Sequence, residues 1–352
     1  METLTDINGL QQVAAGFGLQ HANVQPLGKG LIHFTYKAAD GNQTLVLQQI
    51  NTKVFADPRA LIENYLVVYE HLKQNGQVKV PAPIPAVTGE WLWSDHANTY
   101  WRATEYIPDS YSPDATENAG AAYTTAKSFG RFTSSLSGLD TLQLQVLLAN
   151  FHDLSYRYHQ FEDVVATTQG LRLMRATHVI AELRQRKYLV DFYDSIKNNT
   201  AFPMRLMHHD CKIGNILFDA NTGEVICPID LDTIMPGKYF SDLGDMIRTM
   251  ACTVDENSRE WEIIDIRSDF YDAIVQGYLD GIGNELTPEE KINLHQSGLL
   301  MIFMQTLRFV TDFLQGDVYY RTSYPEQNLN RALNQLILLE KLEFFLAQRL
   351  AK

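Results

Sequence analysis

His208-His209-Asp210-Cys211-Lys212-Ile213-Gly214-Asn215, followed downstream by Asp230-Leu231-Asp232, is the stretch on which the reading of this chain turns. Short apolar runs at 204–207, 216–218 and 225–229 bracket it, the last two joined by the turn signal Asn221-Thr222-Gly223. The polar residues therefore sit at strand ends, in the connections of a small β island. Phosphoryl transfer needs one carboxylate to accept or orient the proton of an attacking hydroxyl. It also needs a second carboxylate and a neutral oxygen ligand for the hard magnesium ions that bridge the phosphates. Asp210 is the candidate catalytic carboxylate, and Asn215 and Asp230 are the candidate metal ligands. Lys212, beside Asp210, can neutralise charge developing on the transferred group.

The spacing Asp-x-Lys-x-x-Asn matches the protein-kinase catalytic loop, with His208 as a packing and hydrogen-bonding strut two residues before the aspartate. Taken singly, an Asp after a strand is usually a turn former and an Asn usually a cap; the joint spacing carries the inference. A metal-hydrolase reading of His208, His209 and Asp210 is weaker. Adjacent histidines on an extended segment point in different directions, and no second histidine cluster at ligand spacing supports them.

Outward from this loop the chain changes character. The first third alternates β-rich runs at 23–29, 32–38, 44–51 and 99–107, with Asp40-Gly41 as a tight hairpin turn. One helix interrupts them, opened by Asp57-Pro58 and closed near Asn75-Gly76. From about Pro113, apolar residues recur at helical spacing over 121–136, 173–197, 242–253, 261–279, 288–314 and 328–350. The expectation is an α+β, bilobal, protein-kinase-like fold: a small antiparallel β-sheet lobe and hinge at 1–107, then a larger, mostly helical lobe at 108–352 holding the catalytic loop and the acceptor site. A chain of 352 residues suits two lobes, since single cores stop growing at about 250–300 residues.

The formal charge of −13 argues against a nucleic-acid partner, which requires concentrated Lys and Arg. Three cysteines without a Cys-x-x-Cys pair suggest a reducing cytoplasm. The start Met-Glu-Thr-Leu-Thr-Asp has no basic segment leading into an apolar core, and no uncharged apolar run is long enough to span a bilayer. The expectation is a cytoplasmic protein with no membrane partner.

The sequence resembles the aminoglycoside phosphotransferase and choline kinase superfamily over nearly its whole length, and within it looks most like the N-acetylhexosamine 1-kinases. Leu47-Gln48-Gln49-Ile50-Asn51, Trp101-Arg102, the run from Ile229 to Gly237, the run from Ser241 to Arg248, Arg308-Phe309-Val310-Thr311-Asp312, Gly316-Asp317-Val318-Tyr319-Tyr320 and Asn328-Leu329-Asn330-Arg331 carry the likeness. The resemblance implies ATP as phosphoryl donor, Mg2+ as cofactor and an amino sugar phosphorylated at its anomeric hydroxyl. It puts Gly28 and Gly30 in a phosphate flap and Gln48 where a strand lysine normally meets the phosphates. Glu105 and Ile107 then lie in the adenine hinge, Glu63 is a candidate partner on the helix, and Arg308, Asp312 and Tyr319 lie at the acceptor.

Arg308 and Asp312 are four apart, so an intrahelical ion pair is the plain alternative. Asp242, Asp245 and Arg248 read as a scaffold brace. Within the same fold the acceptor could instead be choline, ethanolamine, homoserine, methylthioribose or an aminoglycoside. Outside catalysis, the remaining reading is a nucleotide-binding pseudokinase, motivated by Gln48 and the sparse glycine loop.

Overall fold

The computed structural model describes residues 7–28, 32–95 and 99–350. The chain divides into two compact units. The first takes the residues up to Tyr111 together with Gly138–Leu148 and Leu217–Met235; the second takes Ser112–Ser137, Ala149–Ile216 and everything from Pro236 on.

In the first unit an antiparallel sheet runs Asn23–Pro26, Phe34–Asp40, Gln43–Gln49, Tyr100–Glu105, Pro83–Ile84, with Trp93–Ser94 also paired to Tyr100–Glu105. The hairpin predicted at Asp40-Gly41 is there, and Gly41 takes the left-handed φ of 58° that the turn requires. Alternation sends Tyr36, Ala38, Leu45, Leu47, Trp101 and Ala103 to one face. That face is covered by a helix the sequence reading passed over, Ile7–Gly16, through Leu10, Val13 and Ala14 with the following Phe17. Its i, i+3, i+4, i+7 apolar spacing was the available signal. The helix Pro58–Asn75 forms as expected: Asp57 accepts from the amides of Arg59 and Ala60, and Gly76 closes it at φ 65°.

The second unit is helical. The periodic segments 173–197 and 288–314 are each interrupted, giving Leu171–Gln185 with Tyr188–Lys197, and Pro288–Ile292 with Gln296–Gln315. At the second break the Tyr239 hydroxyl donates to the carbonyl of Asn293, a tertiary partner that periodicity cannot register. Helix Gln296–Gln315 is long and apolar enough to cross a membrane by length and composition, yet 94% of its apolar window is buried inside the fold. It packs against helix Phe240–Met250 at Gly244, where a Cβ would run into the Ser297 carbonyl. This close approach sets the two aspartates, Asp242 and Asp245, that hold the backbone of the loop after strand Arg205–Met207.

Candidate active site

In the second unit, the loop after strand Arg205–Met207 is suspended from helix Phe240–Met250 by its backbone amides. Asp242 accepts from His209 N at 2.8 Å and His208 N at 3.0 Å, and Asp245 accepts from Cys211 N at 2.8 Å. His208 is fully buried between the edges of Phe129 and Phe132, as a strut should be. His209 has a left-handed φ of 67°, a conformation held by surrounding bonds. Its Nδ1 shares the Ser241 hydroxyl with His152 Nδ1, at 2.6 and 2.5 Å.

Asp210, Lys212 and Asn215 converge. Lys212 Nζ lies 3.1 Å from Asp210 Oδ2, and Asn215 Nδ2 donates at 2.8 Å to both the carbonyl and Oδ2 of Asp210. Burial alone would raise the Asp210 pKa; the Lys212 ammonium, with His208 and the Asn215 amide, outweighs it and holds the carboxyl below its ordinary range. With its side chain 29% exposed, Asp210 is charged and reachable. Because Asn215 directs its NH2 at Asp210, its amide oxygen is left for another ligand.

The three acceptor candidates have different surroundings. Arg308 and Asp312 share the face of helix Gln296–Gln315 but form no ion pair. Asp312, 3% exposed, accepts from the amides of Val318, Tyr319 and Tyr320 at 3.0, 2.8 and 3.0 Å, and from Asn328 Nδ2 at 2.9 Å. Its oxygens are committed to the chain's own groups, and through them it shapes the loop bearing Tyr319. Arg308 lies 4.8, 5.7 and 5.6 Å from the ring centroids of Phe151, Tyr319 and Tyr320, with Gln305 as its polar contact at 3.2 Å. Phe151 stacks on His152 at 4.3 Å. Phe151 and His152 lie in an irregular connection without periodicity and were not anticipated.

In the first unit, Gln48 stands opposite Thr35 on one side and Arg102 on the other. Its amide donates to the Thr35 hydroxyl at 3.2 Å, and its carbonyl accepts from Arg102 Nε at 3.0 Å. Gln49 points to the opposite face, where its Oε1 is buried without a partner. The cation absent at Gln48 is thus found one strand over, in Arg102, whose guanidinium forks onto Asp232 at 2.5 and 2.7 Å. His33 Nε2 completes the knot at 2.7 Å from Asp232 Oδ2, while its Nδ1 accepts from Asn51 N. Burial would raise the Asp232 pKa, but Arg102 and His33 hold it well below the usual carboxylate range.

Asp230, two residues earlier, has a left-handed φ of 60° at the start of a short turn. Glu63 is exposed and bonded to Gln145, so it sits on a solvated helix face. Glu105 fastens the amide of Ala82 at 2.9 Å, and the Ile107 carbonyl accepts from Ser110 at 2.6 Å. Gly28 has φ 73° with open space where a Cβ would be; Gly30 lies outside the described residues.

An antiparallel sheet unit and a helical unit carrying an Asp-x-Lys-x-x-Asn loop on buried aspartates define the protein-kinase-like fold expected from the sequence. The chain belongs to the phosphotransferase enzyme family, whose family model matches residues 23–285. It is an enzyme of the phosphotransferase class. Among solved structures it is similar to a microcompartment-associated aminopropanol kinase, with 18% identity, a TM-score of 0.64 and coverage of 97% of this chain and 98% of that one. An aminoglycoside phosphotransferase from Alicyclobacillus acidocaldarius matches with 14% identity, a TM-score of 0.66 and coverage of 99% and 96%. A choline kinase from Streptococcus pneumoniae matches with 14% identity, a TM-score of 0.56 and coverage of 94% and 97%. These likenesses speak to the shared fold.

Proposed function

We propose that this enzyme is an ATP-dependent kinase that phosphorylates the anomeric hydroxyl of an N-acetylhexosamine, releasing a sugar 1-phosphate and ADP. The observation that carries the acceptor class is the setting of Arg308. A permanent cation stands among three aromatic rings, and among the described residues no carboxylate pairs with it. Arg157 adds a second positive charge, its own pKa lowered by burial and by Arg308. The ammonium of choline, ethanolamine, aminopropanol or an aminoglycoside would meet like charge there. A neutral, oxygen-rich ring suits it: guanidinium and Tyr319 hydroxyl for the sugar oxygens, ring faces for its C–H surface. Such a hydrogen-bonding set rejects analogues lacking the partner hydroxyl.

The lobe 1–107 is assigned to ATP, with Gly28 and Gly30 near the phosphates, Gln48 as a neutral donor and the Glu105–Ile107 backbone at adenine. The lobe 108–352 is assigned to the acceptor, with Arg308 and Tyr319 as direct contacts and Asp312 acting through the Val318–Tyr320 backbone. Asp210 orients the hydroxyl and accepts its proton as the oxygen bonds to the γ-phosphorus and the bond to ADP breaks. Lys212 offsets the charge that gathers on the transferred group. Asn215, through its unengaged amide oxygen, and Asp230 are the magnesium ligands, hard oxygen donors for an ion that neutralises the phosphates when bound. The three cysteines are free and buried, which suits the cytoplasmic setting we assign.

Incubation with Mg-ATP and a panel of N-acetylhexosamines, amino alcohols and aminoglycosides tests the reading. Phosphorus–carbon NMR coupling locates the phosphate: coupling to C1 is expected, and phosphate on C6 or on no sugar overturns it.

A further inference from the structure

A chain of polar side chains runs through the helical unit from the catalytic loop to the acceptor segment. Asp245, which accepts from the Cys211 amide beside Asp210, also accepts from Arg248 Nε and Nη2 at 3.0 and 2.9 Å. Arg248 Nη1 donates to Glu256 Oε2 at 2.5 Å, and Arg331 Nη2 donates to Glu256 Oε1. Arg331 reaches Asn328 at 3.4 Å, and Asn328 donates to Asp312, which gathers the amides of Val318, Tyr319 and Tyr320. Arg331 also lies 3.9 Å from the Phe309 ring centroid and 5.0 Å from that of Tyr320. Glu256 is the middle of this chain and pairs with both arginines.

Its placement is specific. The turn that carries it is pinned by Asn334, fully buried, which donates to the carbonyls of Asp255 and Ser258 at 3.1 and 3.0 Å. A mostly buried ionic relay is a poor source of stability, since apolar replacements of equal volume often do as well or better; its best-attested use is to fix one registry among the parts it joins. We infer that Glu256 is a positioning residue of this enzyme, locking the Tyr319 segment in register with the loop that carries Asp210. The kinetic part of the inference rests on Arg308 and Tyr319 contacting the acceptor; the mechanical part does not.

The test uses the full-length protein and Glu256→Gln, which keeps the shape and removes the charge, with Arg331→Lys as a second variant that keeps a cation but loses the fork. Hydrogen–deuterium exchange is read at the amides of Cys211 and of Val318, Tyr319 and Tyr320. Exchange about ten-fold faster at both segments is expected, in either variant, with the rest of the helical unit unchanged. With N-acetylglucosamine or N-acetylgalactosamine as acceptor, KM should rise between about two-fold and thirty-fold while KM for ATP holds. Unchanged protection, or loosening at one segment alone, overturns the relay. Loosening at both with unaltered acceptor KM overturns the positioning role. If the parent enzyme phosphorylates neither sugar, the acceptor assignment falls while exchange still decides the relay.

Discussion

Breaking the Arg102–Asp232 pair from one side should destabilise the sheet unit far more than replacing both partners. Arg102 and Asp232 side chains are 2% and 4% exposed and joined by two charge-assisted hydrogen bonds. Asp232→Asn takes away the carboxylate onto which the buried guanidinium forks, leaving it facing Gln48 and the Tyr65 ring 5.8 Å away with only the weaker pull of Asp230. Removing one partner of such a pair costs about 3–5 kcal/mol. At roughly 2–4 °C per kcal/mol for a unit of this size, a loss of 3 kcal/mol lowers Tm by about 6–12 °C. Arg102→Met strands the opposite charge and should lose a similar amount. The double variant Arg102→Met/Asp232→Leu removes both charges, and its loss should be well below the sum of the singles, a coupling of at least about 2 kcal/mol in a double-mutant cycle. Calorimetric scans at neutral pH, following the lower transition if two separate, read all four proteins. Single variants within about 1 kcal/mol of the parent, or a strictly additive double, would refute the reasoning.

Asp210→Asn should abolish phosphoryl transfer while nucleotide affinity and Tm stay close to the parent, because the side chain is partly exposed and carries little packing; substantial turnover would contradict its role. Isothermal calorimetry should show Asp230→Ala losing the magnesium-dependent part of its ATP affinity, and an unchanged Mg-ATP titration would remove Asp230 from the ligand set. Half-buried His152 has its pKa pushed well below the ordinary value by desolvation first and then by His209, Arg308, Arg157 and Arg248. Below about pH 6.5 the unfolded chain takes up a proton that the folded state refuses, so the stability that His152 permits above that pH is lost as pH falls. The slope between pH 7 and 5.5 should shrink in His152→Gln by up to about 1.4 kcal/mol per pH unit, and identical slopes would sink the assignment.

The convergence of the Asp-x-Lys-x-x-Asn loop was legible because its contacts are local. Asp210, Lys212 and Asn215 lie within six residues, and a loop that short holds them together wherever it is mounted. The same holds for helix Pro58–Asn75, whose Asp-Pro start and Gly stop act within one turn. Strand alternation likewise separated Gln48 from Gln49. Helix Ile7–Gly16 was readable by the same periodicity. What the residues alone could not assign was any partnership across distance. Asp232 meets Arg102 and His33 across long stretches of chain, and Asp312, spaced to pair with Arg308, is claimed instead by the amides of a turn and by Asn328. Helical spacing says which side chains share a face, but a carboxylate takes the donors that tertiary packing brings nearest. Once buried it must be satisfied there, so its role is decided by the folded surroundings and not by its neighbours in sequence.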